Sequence, residues 1–208
     1  SKDFLDSIEE LYVLPEAMGH KKYIPPKLRV LHTATEMFGE LPDSLEELSY
    51  ETLDTFSSRI PELQTLRNLK RLRLIARRAV DPSTLPPSLI KLEFIHSGRL
   101  GDMSHLTNLV ELTHHWGEAE PLNAARLPPS IKHLRLKYNN CNNHALDLAA
   151  LVPSAESVEI TCDESNFKVV SLPPQLKSLS LDACLKDFPE LPPSLTRLYY
   201  RCWERTAS

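Results

Sequence analysis

The sequence predicts a solenoid of about ten short rungs, each giving one strand to a curved, parallel β-sheet. Three observations predict it: one phrase returns along the whole chain, apolar and polar residues alternate inside each copy, and 17 prolines stand against only 5 glycines. Scarce glycine argues against the tight turns and ligand-contacting backbone of a catalytic α/β fold. Proline returning inside a pattern points to repeats.

The phrase reads IPPKLRVL from Ile24, LPDSLEEL from Leu41, LPPSLIKL from Leu85, LPPSIKHL from Leu127, LPPQLKSL from Leu172 and LPPSLTRL from Leu191. Copies without the double proline keep its apolar spacing: SIEELYV, NLKRLRL, NLVELTH and SAESVEI, ending at Val13, Leu74, His114 and Ile160. The first apolar residues of the units are Ile8, Leu28, Leu45, Leu69, Leu89, Leu109, Ile131, Ala155, Leu176 and Leu195. Unit length therefore runs from 17 residues (Leu28 to Leu45) to 24 (Leu45 to Leu69). About ten units fill residues 1–208, expected as a single domain whose terminal units act as caps.

In each unit the last two apolar residues, such as Leu72 and Leu74 or Leu134 and Leu136, alternate with polar ones at period two, as in a half-buried strand. Stacked copies become parallel neighbours about 4.8 Å apart, so ten rungs make a ladder of roughly 45 Å. No helix-length apolar period separates them, and the convex segments are expected to be extended or irregular with few short helices. Each PP dipeptide fixes φ and predicts an extended, polyproline-like return ahead of the strand, where a missing N–H breaks no ladder bond. A lone rung cannot bury its faces, whereas stacking gives every rung shared apolar columns, so the repeat leucines are read as core.

This register resembles the leucine-rich repeat superfamily over essentially the whole chain. FPELPPSLTRLYY (Phe188 to Tyr200) and FGELPDSLEELSY (Phe38 to Tyr50) look like the short proline-rich repeats of bacterial effectors delivered into host cells. LPPSLIKLEF looks like the FNIP subtype of amoebal and large-virus proteins, often beside an F-box, although the Phe-Asn-Ile-Pro phrase is absent. The resemblance implies an α/β-type leucine-rich repeat solenoid that recognises protein through its concave face, in some members coupled to ubiquitin transfer by a separate domain. No F-box-like segment is read ahead of Ile8 and no helical ligase region after Trp203. The resemblance also implies Asn or Cys three residues beyond the last strand leucine. Those places hold Glu16, Glu36, Leu53, Arg77, Ser97, Gly117, Asn139, Asp163, Cys184 and Trp203, of which only Asn139, Asp163 and Cys184 suit a turn-bonding task, so irregular turns are expected.

Residues flanking the strand leucines face outward from the concave sheet. One column reads Glu10, Val30, Glu47, Arg71, Lys91, Glu111, His133, Ser157, Ser178, Arg197, and the next Tyr12, His32, Ser49, Arg73, Glu93, Thr113, Arg135, Glu159, Ser180, Tyr199. A third, for strands one residue longer, holds Leu14, Ala34, Glu51, Ile75, Ile95, His115, Lys137, Thr161, Asp182 and Arg201. Arg71, Arg73, Lys91, His133, Arg135 and Lys137 fall mid-ladder, with Arg77 and Arg78 near the strand exit. They form a basic centre suited to a carboxylate or phosphate; the alternative is a solvated face neutralised by Glu93 and Glu111. Tyr12 and His32 near one end and Tyr199 near the other are candidate interface anchors, and His115 joins the contact set. Tyr200 takes a core phase, and Trp203 is expected to cover the last rung.

Cys141, Cys162, Cys184 and Cys202 recur near the repeat period, which accounts for them without a zinc site. Without an export signal, disulfides are not expected. His114 occupies an apolar phase and is read as packed; beside it, His115, Trp116 and Glu118 come with no assignable nucleophile. KYNNCNNH, Lys137 to His144, is read as a polar turn. The sequence has no phosphate-cradling glycine motif, HExxH or calcium loop, so neither cofactor nor catalysis is expected.

A formal charge of -4, from 24 basic and 28 acidic residues, opposes strong attraction to nucleic acid, which stays the alternative function through the basic centre. No apolar run approaches the roughly 20 residues that span a bilayer, so membrane insertion is not expected, and SKDFLDSIEE lacks the basic-then-apolar order of a secretion signal. The expected location is cytoplasm or nucleus, or a host cytoplasm for a secreted effector. The expected function is passive capture, by a rigid scaffold, of a protein partner with an acidic surface.

Overall fold

Period-two alternation decides which side chains meet water, and the inner rungs obey it. The computed structural model describes residues 2–13, 23–34, 40–51, 62–76, 80–96, 100–116, 126–138, 145–185 and 187–202. The strands among them are β1 (Glu10–Val13), β2 (Val30–Thr33), β3 (Glu47–Glu51), β4 (Arg71–Ala76), β5 (Lys91–His96), β6 (Glu111–Trp116), β7 (His133–Tyr138), β8 (Ala145–Asp147), β9 (Ser157–Ser171), β10 (Ser178–Leu185) and β11 (Arg197–Arg201). Ten of them pair in chain order as β1-β2-β3-β4-β5-β6-β7-β9-β10-β11, with β8 beside the far end of β9. Every pairing is parallel. Each successive strand therefore returns to the same end of the sheet, as a solenoid requires.

The leucine columns form one spine. Leu48, Leu72, Leu92, Leu112, Leu134, Val158 and Leu179 are successive partners across the ladder, and all lie in a single buried cluster. Leu28, Leu45, Leu69, Leu89, Leu109, Ile131, Ala155 and Leu176, the first apolar residues of eight units, are fully buried in that cluster. His114 takes the apolar phase expected of it and is buried too, its ring tilted against Phe94 with centroids 6.2 Å apart.

The second proline of each pair lies in a turn and not in the extended return that its fixed φ suggests. In the copies beginning at Leu85, Leu127, Leu172 and Leu191, the first proline's carbonyl accepts the N–H of the residue three places on: Leu89 from Pro86, Ile131 from Pro128, Leu176 from Pro173 and Leu195 from Pro192. The second proline is then at the second position of a four-residue turn, a place its φ also suits. The same bond closes the turn where proline is absent, from Leu69 to Leu66 and from Leu109 to Leu106.

In six units the residue before the first apolar position ties that turn to the rung before it. Ser44 donates to the Leu28 carbonyl, Ser88 to Leu69, Ser130 to Leu109 and Ser194 to Leu176, each at 2.8 Å. Asn68 and Asn108 do the same to Asp43 and Pro87. These carbonyls would otherwise be left without a partner at the edge of the core.

Helix is scarce. Among the described residues there are α1 (Lys2–Leu5), α2 (Leu148–Leu151) and 3-10 turns at Leu63–Thr65 and Pro82–Thr84. Two of these lie in the longest units, Leu45 to Leu69 and Ile131 to Ala155. Asp147 caps α2 by accepting the Ala150 N–H, as N-cap aspartates do. No helix among the described residues is long and apolar enough to cross a membrane.

The expectation against disulfides is overturned. Cys184 and Cys202 are joined, with their Cα atoms 4.6 Å apart, and Cys162 is also disulfide-bonded. The reason is geometric: Cys184 and Cys202 follow the paired residues Asp182 and Arg201 on adjacent strands, and the spacing of neighbouring strands matches the Cα span of a disulfide. Cys184 is thus a cross-rung tie and not a turn-bonding residue. Asp163, the other such candidate described, lies within β9.

Candidate interaction face

The outward columns fall in the register that the repeat predicts. Glu47, Arg71, Lys91, Glu111 and His133 are consecutive partners, as are Ser49, Arg73, Glu93, Thr113, Arg135 and Glu159. The third column, Glu51, Ile75, Ile95, His115, Lys137 and Thr161, is equally continuous. Tyr12 is paired with His32 at one end, and Ser180 with Tyr199 at the other. Leu14, Arg77, Arg78, Glu118, Cys141, Trp203, the polar residues 139–144 and the turn positions Glu16, Glu36, Leu53, Ser97, Gly117 and Asn139 lie outside the described residues.

Opposite charges meet across neighbouring rungs at four places in the first two columns. Arg71 meets Glu47 at 2.6 Å, Lys91 meets Glu111 at 2.8 Å, Arg73 meets Glu93 at 3.2 Å and Arg135 meets Glu159 at 2.8 Å. The six candidate cations are therefore not one basic patch: four are held by carboxylates one rung away. Cross-strand contact is the cause, because residues directly opposite on parallel neighbours stand within side-chain reach. The Lys91 ammonium beside Glu111 holds that carboxyl below the usual carboxylate range.

One place departs from this balance. His115 sits between Ile95 and Lys137 in the third column. Burial lowers the pKa of its imidazole; Glu93 opposes the shift, while Lys137, Arg135 and Arg73 add to it. Among the described residues Lys137 has no ion-pair partner. Ile75 and Ile95, half-buried on the rungs before His115, give this spot an apolar flank.

The face ends in aromatic side chains. Tyr12 stacks on His32 at 4.6 Å between centroids, and His32 Nε2 lies 3.4 Å from Glu47. Tyr12 is 62% exposed and Tyr199 52%. The candidate contact residues thus form a continuous face, but its ends are nine strand steps apart and do not converge on one pocket.

A fourth column was not read from the sequence. One residue ahead of the strands, Glu9, Arg29, Glu46, Lys70, Ile90, Val110, Lys132, Glu156, Lys177 and Thr196 follow one another through a backbone hydrogen-bond ladder. Arg29 bridges to Glu46 at 2.8 Å, and Glu156 is held by Lys177 at 2.6 Å and Lys132 at 3.6 Å. Ile90 and Val110 interrupt this charged line in the middle, and Ile90 is 42% exposed. Alternating charge at the repeat spacing was the available signal, displaced by one position from the period-two pattern.

No family model matches the chain, and no curated protein matches its sequence. Among solved structures it is similar to CroV588, described as a novel circular leucine-rich repeat protein, with a TM-score of 0.62 and 22% identity over 84% of this chain and 30% of that one. The chain thus spans less than a third of the length of CroV588. YopM from Yersinia enterocolitica WA-314 also matches, at 22% identity over 95% of this chain and 56% of YopM, with a TM-score of 0.33. The ten-strand parallel ladder, its buried leucine columns and its likeness to CroV588 agree: the chain has the leucine-rich repeat fold.

Proposed function

We propose that the chain is a protein-binding scaffold and that its partner lies along the outward face of the ladder. The observation that carries this reading is the continuity of that face: outward side chains of consecutive parallel strands stand in register, and several are held by ion pairs to their neighbours. Side chains already ordered by cross-rung ion pairs lose less freedom when a partner arrives, which lowers the cost of binding. Carboxylates of an acidic partner fit best around His115 and Lys137, where cations outnumber acids, and Tyr12 and Tyr199 are anchors toward the ends. Nucleic acid fits less well, because Arg71, Arg73, Lys91 and Arg135 already have carboxylate partners and strong phosphate binding draws on several such cations. The disulfides favour an oxidising compartment over the reducing cytoplasm or nucleus.

The test compares capture from source-cell lysate by the wild type, by Arg73→Glu with Arg135→Glu, and by Arg126→Glu, a control away from the outward columns. Proteins retained by the wild type and the control but lost from the double variant support the reading, provided circular dichroism is unchanged. Equal capture by all three removes the outward face from the binding site. Fluorescence polarisation with mixed RNA and DNA at two salt levels tests the nucleic-acid alternative directly.

A further inference from the structure

The two end rungs bury their core phases less well than every rung between them. At the C-terminal end Leu198 is 46% exposed and Tyr200 43%, although their partners Leu179 and Leu181 are buried. Phe188, packed edge-on against Tyr200 at 5.2 Å, and Leu191 extend this apolar end. At the other end Ile8 and Leu11 are only partly buried, while Leu28 and Leu31 one rung on are fully so. β11 and β1 are also the outer strands of the ladder, each with one edge unpaired among the described residues. Exposed apolar edges of this kind are templates for further pairing.

The two ends are complementary to each other. Setting β1 of a second copy beside β11 in the register used at every internal step places Leu11 on Leu198 and Val13 on Tyr200, continuing the core columns. It places Tyr12 on Tyr199, where Tyr12 already stacks on His32. In the first outward column it places Glu10 opposite Arg197, and among the described residues neither has an ion-pair partner of its own. The backbone is prepared as well. At the internal steps two consecutive N–H groups converge on the carbonyl that precedes the previous strand, as Arg29 and Val30 do on Glu9 and as Thr196 and Arg197 do on Lys177. The Thr196 carbonyl is the equivalent acceptor at the end of the ladder, and the N–H groups of Glu9 and Glu10 are the equivalent donors. A two-fold antiparallel pairing of two β11 strands centred on Tyr199 would instead oppose Arg197 and Arg201, like charges that weaken the pair.

We propose that copies of this chain associate head to tail, with the β11 edge of one continuing into the β1 edge of the next. Such an interface uses two different surfaces and grows into rings or open filaments, not closed two-fold dimers. This proposal stands independently of the partner proposed for the outward face.

Sedimentation velocity and light scattering of the 208-residue chain, from micromolar to near-millimolar concentration, provide the test. The expected result is a mass that rises through multiples of the chain mass. Arg197→Glu alone and Glu10→Arg alone should each weaken association about three- to tenfold, and combining them in one chain should restore it, because the pair is re-formed with its signs exchanged. Leu198→Asp should weaken it more than either, with unchanged circular dichroism showing that the exposed site is not needed for folding. A wild type that stays monomeric throughout overturns the proposal, as does association that is indifferent to Leu198→Asp and to both single charge reversals.

Discussion

Arg135 Nε donates to Glu159 Oε2 at 2.8 Å across the step from β7 to β9. Both side chains are more than a third exposed, so solvent screens the attraction and the pair orders the surface more than it stabilises the fold. A double-mutant cycle with Arg135→Ala and Glu159→Ala should give a coupling of about 0.2 to 1 kcal/mol in urea unfolding. The coupling should shrink further as salt is raised. A coupling of several kcal/mol would show that the pair is buried in solution.

The hydroxyl of Ser88 donates to the Leu69 carbonyl and lies near that of Leu66, so it satisfies backbone that the previous rung leaves open. Ser88→Ala removes the donor and leaves a part-buried acceptor, at a cost of about 1 kcal/mol. Ser130→Ala, at the same position two rungs on, should cost a similar amount. Equal stability of wild type and variants by urea unfolding would show that water replaces the hydroxyl without loss.

Leu74 and Tyr200 hold the same phase of the repeat, as do Leu72 and Leu198, yet only the inner rungs bury it. Leu74 is fully buried, so Leu74→Ala should cost about 2 to 5 kcal/mol through lost transfer energy and the cavity left behind. Leu198→Ala removes a side chain that is 46% exposed and should cost less than half as much, measured in dilute chain. Similar losses at both sites would show that the last rung is covered.

How far the sequence could be read depended on which interactions leave a pattern in it. Strand register was legible because a one-residue slip would turn Leu72, Leu92 and Leu134 from the core to the surface together. The outward columns followed from the same alternation. The proline turns did not, because a φ near −65° serves a polyproline stretch and the second position of a turn equally, and only the Leu89 to Pro86 hydrogen bond separates them. The ion-pair lattice needed the reach of particular side chains: Glu93 and Glu111 were visible as neutralising residues, whereas Glu159 on Arg135 was not. Cys184 and Cys202 are legible as occupants of adjacent rungs, but nothing in their spacing tells an oxidising compartment from a reducing one.

Cys184 and Cys202 fasten the outermost rung to the one before it, across a sequence separation of 18 residues. A loop of that size, closed in the unfolded chain as well, stabilises by about 3 kcal/mol in the chain-entropy account. Cys184→Ser with Cys202→Ser should therefore lower the unfolding midpoint and leave the far-ultraviolet spectrum of the inner rungs in place. Peptide mapping without reductant should recover the two cysteines in one linked species. Alkylation of both thiols in the native, unreduced chain would contradict the pairing.

His115 connects the chemistry of the outward face to pH. Burial lowers its folded pKa below the ordinary 6.5, and Lys137, Arg135 and Arg73 lower it further against Glu93. The unfolded chain then binds the proton more readily than the folded one, so the neutral ring's contribution is complete above pH 6.5 and is lost as pH falls through the lower folded value. The imidazole resonance of His115 should titrate below 6.5 by NMR, and His115→Gln should flatten the fall in stability over that window. A carboxylate bound beside Lys137 would add negative charge at the ring and raise the midpoint, by the same reciprocity that would make acidic ligands bind more tightly as pH falls. A midpoint at or above 6.5 in the unliganded chain would mean that Glu93 outweighs burial and the three cations, and that the spot is not poised for an acidic partner.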